Sequence, residues 1–164
     1  MEHATYAGEN GNSRKPALVI HCPDEFVAER CEEVNRACLK ERIPMLPYRR
    51  VGLEVEIGPL IVPYETACYT CYAKRRDAVL SPWERQHAAA NNDLGVFKVP
   101  LGLDFLVIEA LKVVLGRSEP VTQGRLLRLS FVGGIPELHP VLKLPRCPTC
   151  GVHRVKPSRK LWEE

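Results

Sequence analysis

The chain has 164 residues, enough for one domain with a real core and too few for two independent ones. Its apolar share of 45% and charged share of 26% are those of an ordinary globular protein, which excludes a chain disordered throughout. A formal charge of +3 is too small to imply a polyanionic partner without a local cluster.

No export signal is visible: Met1 to Lys15 is polar, with no basic region leading into an apolar core. The longest apolar run, Val99 to Gly116, is broken by Asp104, Glu109 and Lys112 and falls short of the ~20 residues that span a bilayer. A cytoplasmic location is therefore expected. The seven cysteines agree with it, because an odd count in a chain without a secretory signal points to thiolate ligands in a reducing compartment, not disulfides.

Residues 1–16, rich in Gly, Asn and charge, are expected to form a flexible tail, followed by a domain over 17–151 and a basic tail over 152–164. Ala17 to Ile20 is a short apolar run that predicts a buried strand, and Pro23-Asp24 predicts a helix start. Val27, Cys31, Val34 and Cys38 recur at helical spacing, and this amphipathic helix is expected to end before Pro44. A second strand over Pro44 to Tyr48 would complete a β-α-β unit with a right-handed crossover. Leu53 to Val62 alternates apolar and acidic residues until Gly58-Pro59 interrupts it.

Lys74 to Asn92 reads as a loosely packed helix or loop. Leu101 to Leu115 is apolar on nearly all sides, which predicts a helix inside the molecule or against a subunit partner. Leu127, Leu129 and Phe131 alternate with Arg128 and Ser130, the pattern of a half-buried strand that stops at Gly133-Gly134.

Four cysteines fall into two C-x-x-C pairs, Cys68-Tyr69-Thr70-Cys71 and Cys147-Pro148-Thr149-Cys150. The spacing lets both sulfurs of one turn face a single ion at about 2.3 Å, and two such turns complete a tetrahedron. A redox C-x-x-C would occur once, at a helix start after a strand. The duplicated pair therefore predicts one zinc ion held by Cys68, Cys71, Cys147 and Cys150. Four thiolates leave no open position for a bound water, so the ion is expected to be structural, with Arg146 a candidate donor beside it.

Several motifs together resemble the ThiF-like, ubiquitin-activating-type adenylation fold. They are the turn His21-Cys22-Pro23-Asp24-Glu25, Arg30 with Asn35, Ile43-Pro44, and Cys68-Tyr69-Thr70-Cys71. More specifically, Gly58-Pro59 through Pro63 leading into Thr66-Ala67-Cys68, and His139-Pro140 ahead of Pro145-Arg146-Cys147, resemble the branch associated with cyclodehydratases of thiazole/oxazole-modified peptides. The resemblance covers about residues 17–151. It implies an α/β fold, here a partial ThiF-like and mostly parallel sheet truncated at its N-terminal half, closed by the zinc clasp.

The resemblance further implies an accessory or scaffold subunit in bacteriocin-type peptide biosynthesis. Its partners would be a YcaO-type ATP-dependent cyclodehydratase and a precursor peptide, bound directly or through a leader-binding chain. No G-x-G-x-x-G or Walker sequence occurs, so no nucleotide-binding or catalytic residue is assigned. Asp24 matches a magnesium-binding position of active relatives, but His21 stands where they have an acidic neighbour, and no metal is assigned there.

The alternative within the family is an adenylating enzyme completed by a second chain. A further alternative is a zinc-ribbon-like nucleic-acid-binding module, drawn from Lys74-Arg75-Arg76 and from Arg154, Lys156, Arg159 and Lys160, with Tyr69 and Tyr72 nearby. Against it stand 75 residues between the two knuckles, where a ribbon has about 15 to 20. Cys31 and Cys38 are expected to be buried as small hydrophobes, while Cys22 at a strand-to-helix turn is less determined. His87, His139 and His153 have no nucleophile context, and His139-Pro140 is expected to shape the approach to the second knuckle. The apolar helix makes a homo- or hetero-oligomer the expectation.

Overall fold

The computed structural model describes residues 15–23, 27–51, 53–81, 102–130 and 133–151. Within them lie five strands and three helices: β1 (Val19–His21), α1 (Ala28–Glu41), β2 (Met45–Val51), β3 (Glu54–Ile57), α2 (Tyr69–Val79), α3 (Leu103–Leu115), β4 (Arg125–Ser130) and β5 (Pro136–Pro140). The strands form one sheet in the order β1-β2-β3-β4-β5.

The β-α-β unit expected from the apolar runs is present. β1 pairs in parallel with β2, with Val19 opposite Met45 and His21 opposite Pro47. Every other pairing is antiparallel, so the expected mostly parallel sheet is corrected to a mixed one. The reason is local. Only a few residues join β2 to β3, and a connection that short returns the chain as a hairpin, whereas a parallel neighbour needs a long crossover.

The alternation in β3 then acquires a meaning. Val55 and Ile57 are fully buried with Leu46, Leu60, Leu127 and Leu129 on one face. Glu54 and Glu56 face the other way, Glu54 paired with Arg128 at 2.5 Å and Glu56 accepting the Tyr72 hydroxyl at 2.9 Å with Arg49 at 3.8 Å. The second face carries the larger core of Cys31, Cys38, Met45, Ile61, Tyr69 and Leu126. Burial of both Leu126 and Leu127 shows why the half-buried reading of β4 was too simple: the sheet is covered on both sides at that point. β5, bounded by two prolines and exposed along its length, lacked an apolar signal.

Gly58 ends β3 at φ 89°, and the Gly58-Pro59 peptide is cis. A Cβ here would lie 3.1 Å from the Arg125 carbonyl oxygen and 3.2 Å from Thr122 Cβ, so the position has room only for glycine. The chain then runs through isolated bridges at Leu60 and Ile61 into a turn fixed by Thr66. Thr66 Oγ1 accepts the Val62 N–H at 2.8 Å and donates to the Leu60 carbonyl at 3.0 Å.

α3 departs from the expectation of a buried helix. Only Leu106 and Glu109 are buried, while Phe105, Val107, Ile108, Leu111, Val114 and Leu115 are each between 43% and 59% exposed. Glu109 anchors it by accepting the Thr122 N–H at 2.9 Å and the Thr122 hydroxyl at 2.7 Å, with Lys112 Nζ at 2.7 Å. The alternative reading, a helix facing a subunit partner, fits this exposure. Residues 1–14, the helix start at Asp24, Trp83, His87, Asn91-Asn92, Phe131, His153 and the basic residues from Arg154 onward lie outside the described residues. No described helix is long and apolar enough to cross a membrane.

Candidate metal centre

The first thiol pair opens α2. Cys68 is the residue before the helix and Cys71 lies in its first turn, so helical geometry turns both sulfurs to one side. The second pair sits on a tight turn after β5, where the Gly151 N–H donates to the Cys147 carbonyl at 2.9 Å and the Cys147 N–H to Leu144 at 3.2 Å. The fold brings these turns together although 79 residues separate Cys68 from Cys147.

The sulfurs of Cys68 and Cys71 are 3.8 Å apart, those of Cys68 and Cys147 3.6 Å, and those of Cys71 and Cys150 3.6 Å. All four lie within 4.8 Å of one another. Around one ion with metal–sulfur distances of about 2.3 Å, tetrahedral sulfurs stand about 3.8 Å apart, so the donor set fits a single metal ion. The thiols of Cys68, Cys71, Cys147 and Cys150 are buried, which shields such a centre from water.

The surroundings prepare part of the set for ionisation. Burial opposes the thiolate of Cys147, but the backbone N–H groups of Cys150 and Thr149, together with hydrogen bonds from the Cys71 and Cys68 thiols, outweigh it and bring its pKa down to about 7. Burial pushes Cys68 well up and raises Cys150 to about 11. Cys68 and Cys150 thus resist ionising unless a cation joins them. The Leu144 N–H points at Cys71 Sγ from 3.4 Å, a donor of the kind that tunes a thiolate ligand.

Two supports were missed by the sequence reading. Thr70 and Thr149 occupy the same place in the two knuckles, and their hydroxyl oxygens meet at 2.9 Å. The repeated threonine in C-x-T-C was the available signal. Asn35, buried in α1, accepts the Tyr69 N–H at 3.1 Å and so caps α2 at its first residue. The resemblance had singled out Asn35 without giving it a role.

The other singled-out residues stay apart from the thiols. Cys31 and Cys38 are buried as expected, and desolvation raises both thiols. His21 Nε2 contacts Cys31 Sγ at 3.2 Å, and burial, with Arg30 second, holds its pKa below the ordinary histidine value. Cys22 is exposed. His139 pairs with Glu137 on the exposed strand β5. In the basic run, Arg75 donates to the carbonyls of Leu142 and Lys143, and Arg76 pairs with Asp77 and lies 5.7 Å from the Tyr72 ring. Only Lys74 of the three points away from such contacts among the described residues.

Comparison with known proteins agrees with this architecture. No curated protein is significantly similar in sequence. A solved heterocyclase in complex with substrate and cofactor superimposes with a TM-score of 0.62 at 23% identity, over 82% of this chain and 20% of that one. Escherichia coli MccB superimposes with a TM-score of 0.62 at 17% identity, over 90% of this chain and 43% of that one. MccB bound to ATP gives 0.61 at 19% identity, over 85% and 40% respectively. The chain spans a fifth to somewhat over two fifths of the length of these structures. Residues 7–152 match the ThiF family, and the chain belongs to it.

Proposed function

We propose that the chain is an accessory subunit in the biosynthesis of azoline- or azole-containing ribosomal peptides, docking or stimulating a YcaO-type ATP-dependent cyclodehydratase. One observation carries this reading: the two knuckles, whose flanking segments resemble the cyclodehydratase-associated branch in sequence, meet as one four-thiol cluster on a ThiF-family fold. The similarity of the fold to a heterocyclase supports it. In this reading Cys68, Cys71, Cys147 and Cys150 hold a structural zinc ion that ties the start of α2 to the turn after β5. With four protein ligands the ion supplies cohesion and no water for chemistry.

The exposed apolar face of α3 supports a partner contact, since such a helix is costly to leave in water. The partner would perform the ATP-dependent activation of the peptide amide, and the precursor peptide would reach this chain directly or through a leader-binding chain. A cytoplasmic location follows from the same reading. Co-purification with a YcaO-type enzyme and its precursor peptide, followed by a cyclodehydration assay with and without this chain, tests it. Stimulation is the expected result, and no contact with either component would overturn it.

A second reading has one observation in its favour: MccB, which shares the fold, has been solved with ATP. This chain would then be part of an adenylating enzyme completed in trans. ATP–pyrophosphate exchange that appears only on addition of a second chain would distinguish it.

A further inference from the structure

We infer that the cleft between the C-terminal end of α1, the 62–65 turn, α2 and the second knuckle binds an extended acidic peptide segment of another protein. The cleft has a volume of about 1060 Å3, and among the described residues its charged lining is unbalanced: four cations, Arg36, Lys40, Arg42 and Lys74, face two acids, Glu32 and Glu65. Arg36 is already satisfied by Glu32 at 2.9 Å. Lys40, Arg42 and Lys74 are exposed and make no ion pair among the described residues.

Two of these cations have a local reason to be there. Lys40 and Arg42 lie at the end of α1, where the helix dipole favours positive charge. Lys74 does not, because it comes from the middle of α2, and its arrival in the same cleft puts a third like charge beside them. Such a gathering is relieved by an anionic occupant.

The uncharged lining selects the kind of anion. Pro44, Pro63 and Pro148 have no backbone N–H and that of Val62 is taken by Thr66 Oγ1, so a bound segment is held by its side chains against cations and apolar surface. The walls are held in place by the Thr66 turn and the Thr70–Thr149 contact, which makes the cleft preformed. A nucleic-acid strand suits this surface poorly. Among the described residues Tyr64 alone offers an aromatic face in the cleft on which bases could stack. An acidic peptide with interspersed apolar residues matches both halves of the lining. The inference does not rest on the peptide-processing reading above, since it concerns any acidic partner.

The test uses the full chain and a short fluorescein-labelled peptide alternating glutamate and valine, followed by fluorescence anisotropy. The expected result is binding that weakens as salt is raised and is lost when glutamine replaces glutamate in the peptide. A Lys40→Ala, Arg42→Ala, Lys74→Ala triple variant should bind about tenfold more weakly with an unchanged circular-dichroism spectrum. Should the triple variant fail to fold, Lys74→Glu alone supplies the measurement and should weaken binding in the same direction. Equal affinity of the wild-type and variant chains, or equal affinity for the glutamine peptide, would overturn the inference. So would a single-stranded oligonucleotide that binds more tightly than the peptide and loses its affinity in the same variant.

Discussion

Asn35 Oδ1 accepts the backbone N–H of Tyr69 at 3.1 Å, joining a side chain in the middle of α1 to the first residue of α2. The residue before the helix, Cys68, makes no side-chain cap, because its sulfur belongs to the thiol cluster. A helix N-terminus needs acceptors for its first N–H groups, and here one comes from another helix. Replacing Asn35 by leucine should therefore leave a buried donor unpaired next to Cys68. We expect a loss of about 1–3 kcal/mol in urea unfolding, and faster escape of any bound metal to a chelator. Unfolding identical to wild type would show that the cap is dispensable.

The thiol cluster itself yields a stoichiometric prediction. Purified protein should carry one zinc per chain by elemental analysis, and Cys71→Ser or Cys150→Ser should each lower that content and the midpoint of thermal unfolding. Cys22→Ser, at an exposed cysteine outside the cluster, should leave both unchanged. Chelation should make four more thiols reactive toward a disulfide reagent. In small zinc modules metal binding contributes on the order of 10 kcal/mol to folding, so the metal-free chain should be markedly less stable. Zinc-free protein of full stability would overturn the assignment.

The cluster was legible because its signal is covalent spacing. Cys68-x-x-Cys71 and Cys147-x-x-Cys150 constrain the sulfurs whatever lies between them. β1, α1, β2 and β4 were legible through their apolar periods. The sense of the strands was not, since Leu53 to Ile57 alternates in the same way in a parallel or an antiparallel neighbour. Which of the two alternatives held for the apolar helix was not legible either: composition shows that Phe105, Ile108 and Leu115 are apolar, but only tertiary packing decides that they face outward. The contacts of Asn35 and of the paired threonines were not legible because a polar cap or a hydroxyl contact across long sequence distances has no periodic signature.

Thr66 offers a sharper mutational test of how the turn before the first knuckle is held. Its hydroxyl both accepts the Val62 N–H and donates to the Leu60 carbonyl, so it satisfies two backbone groups at once. Valine has the same shape without the hydroxyl. Thr66→Val should cost about 1–3 kcal/mol in chemical unfolding, whereas Thr66→Ser, which keeps both bonds, should cost clearly less. A negligible loss in Thr66→Val would show that the turn does not depend on these two hydrogen bonds.

The last prediction concerns Glu109, whose residue is 2% exposed. Desolvation raises its pKa, but the hydrogen bonds from Lys112 and Thr122 outweigh it and the net shift is downward from 4.5. A carboxylate whose folded pKa lies below its unfolded one binds fewer protons in the native state. Its stabilising contribution is therefore complete above the unfolded value and is lost as pH falls below about 4.5 and through the folded pKa. Wild-type stability should fall across that acid range. In Glu109→Gln the Thr122 bonds can persist through the amide oxygen, while the ion pair with Lys112 is gone. The variant should be less stable at neutral pH and show a shallower decline on acidification, measured by thermal unfolding as a function of pH. Parallel pH profiles for the two proteins would mean that other carboxylates govern acid stability and that the Lys112 ion pair contributes nothing to it.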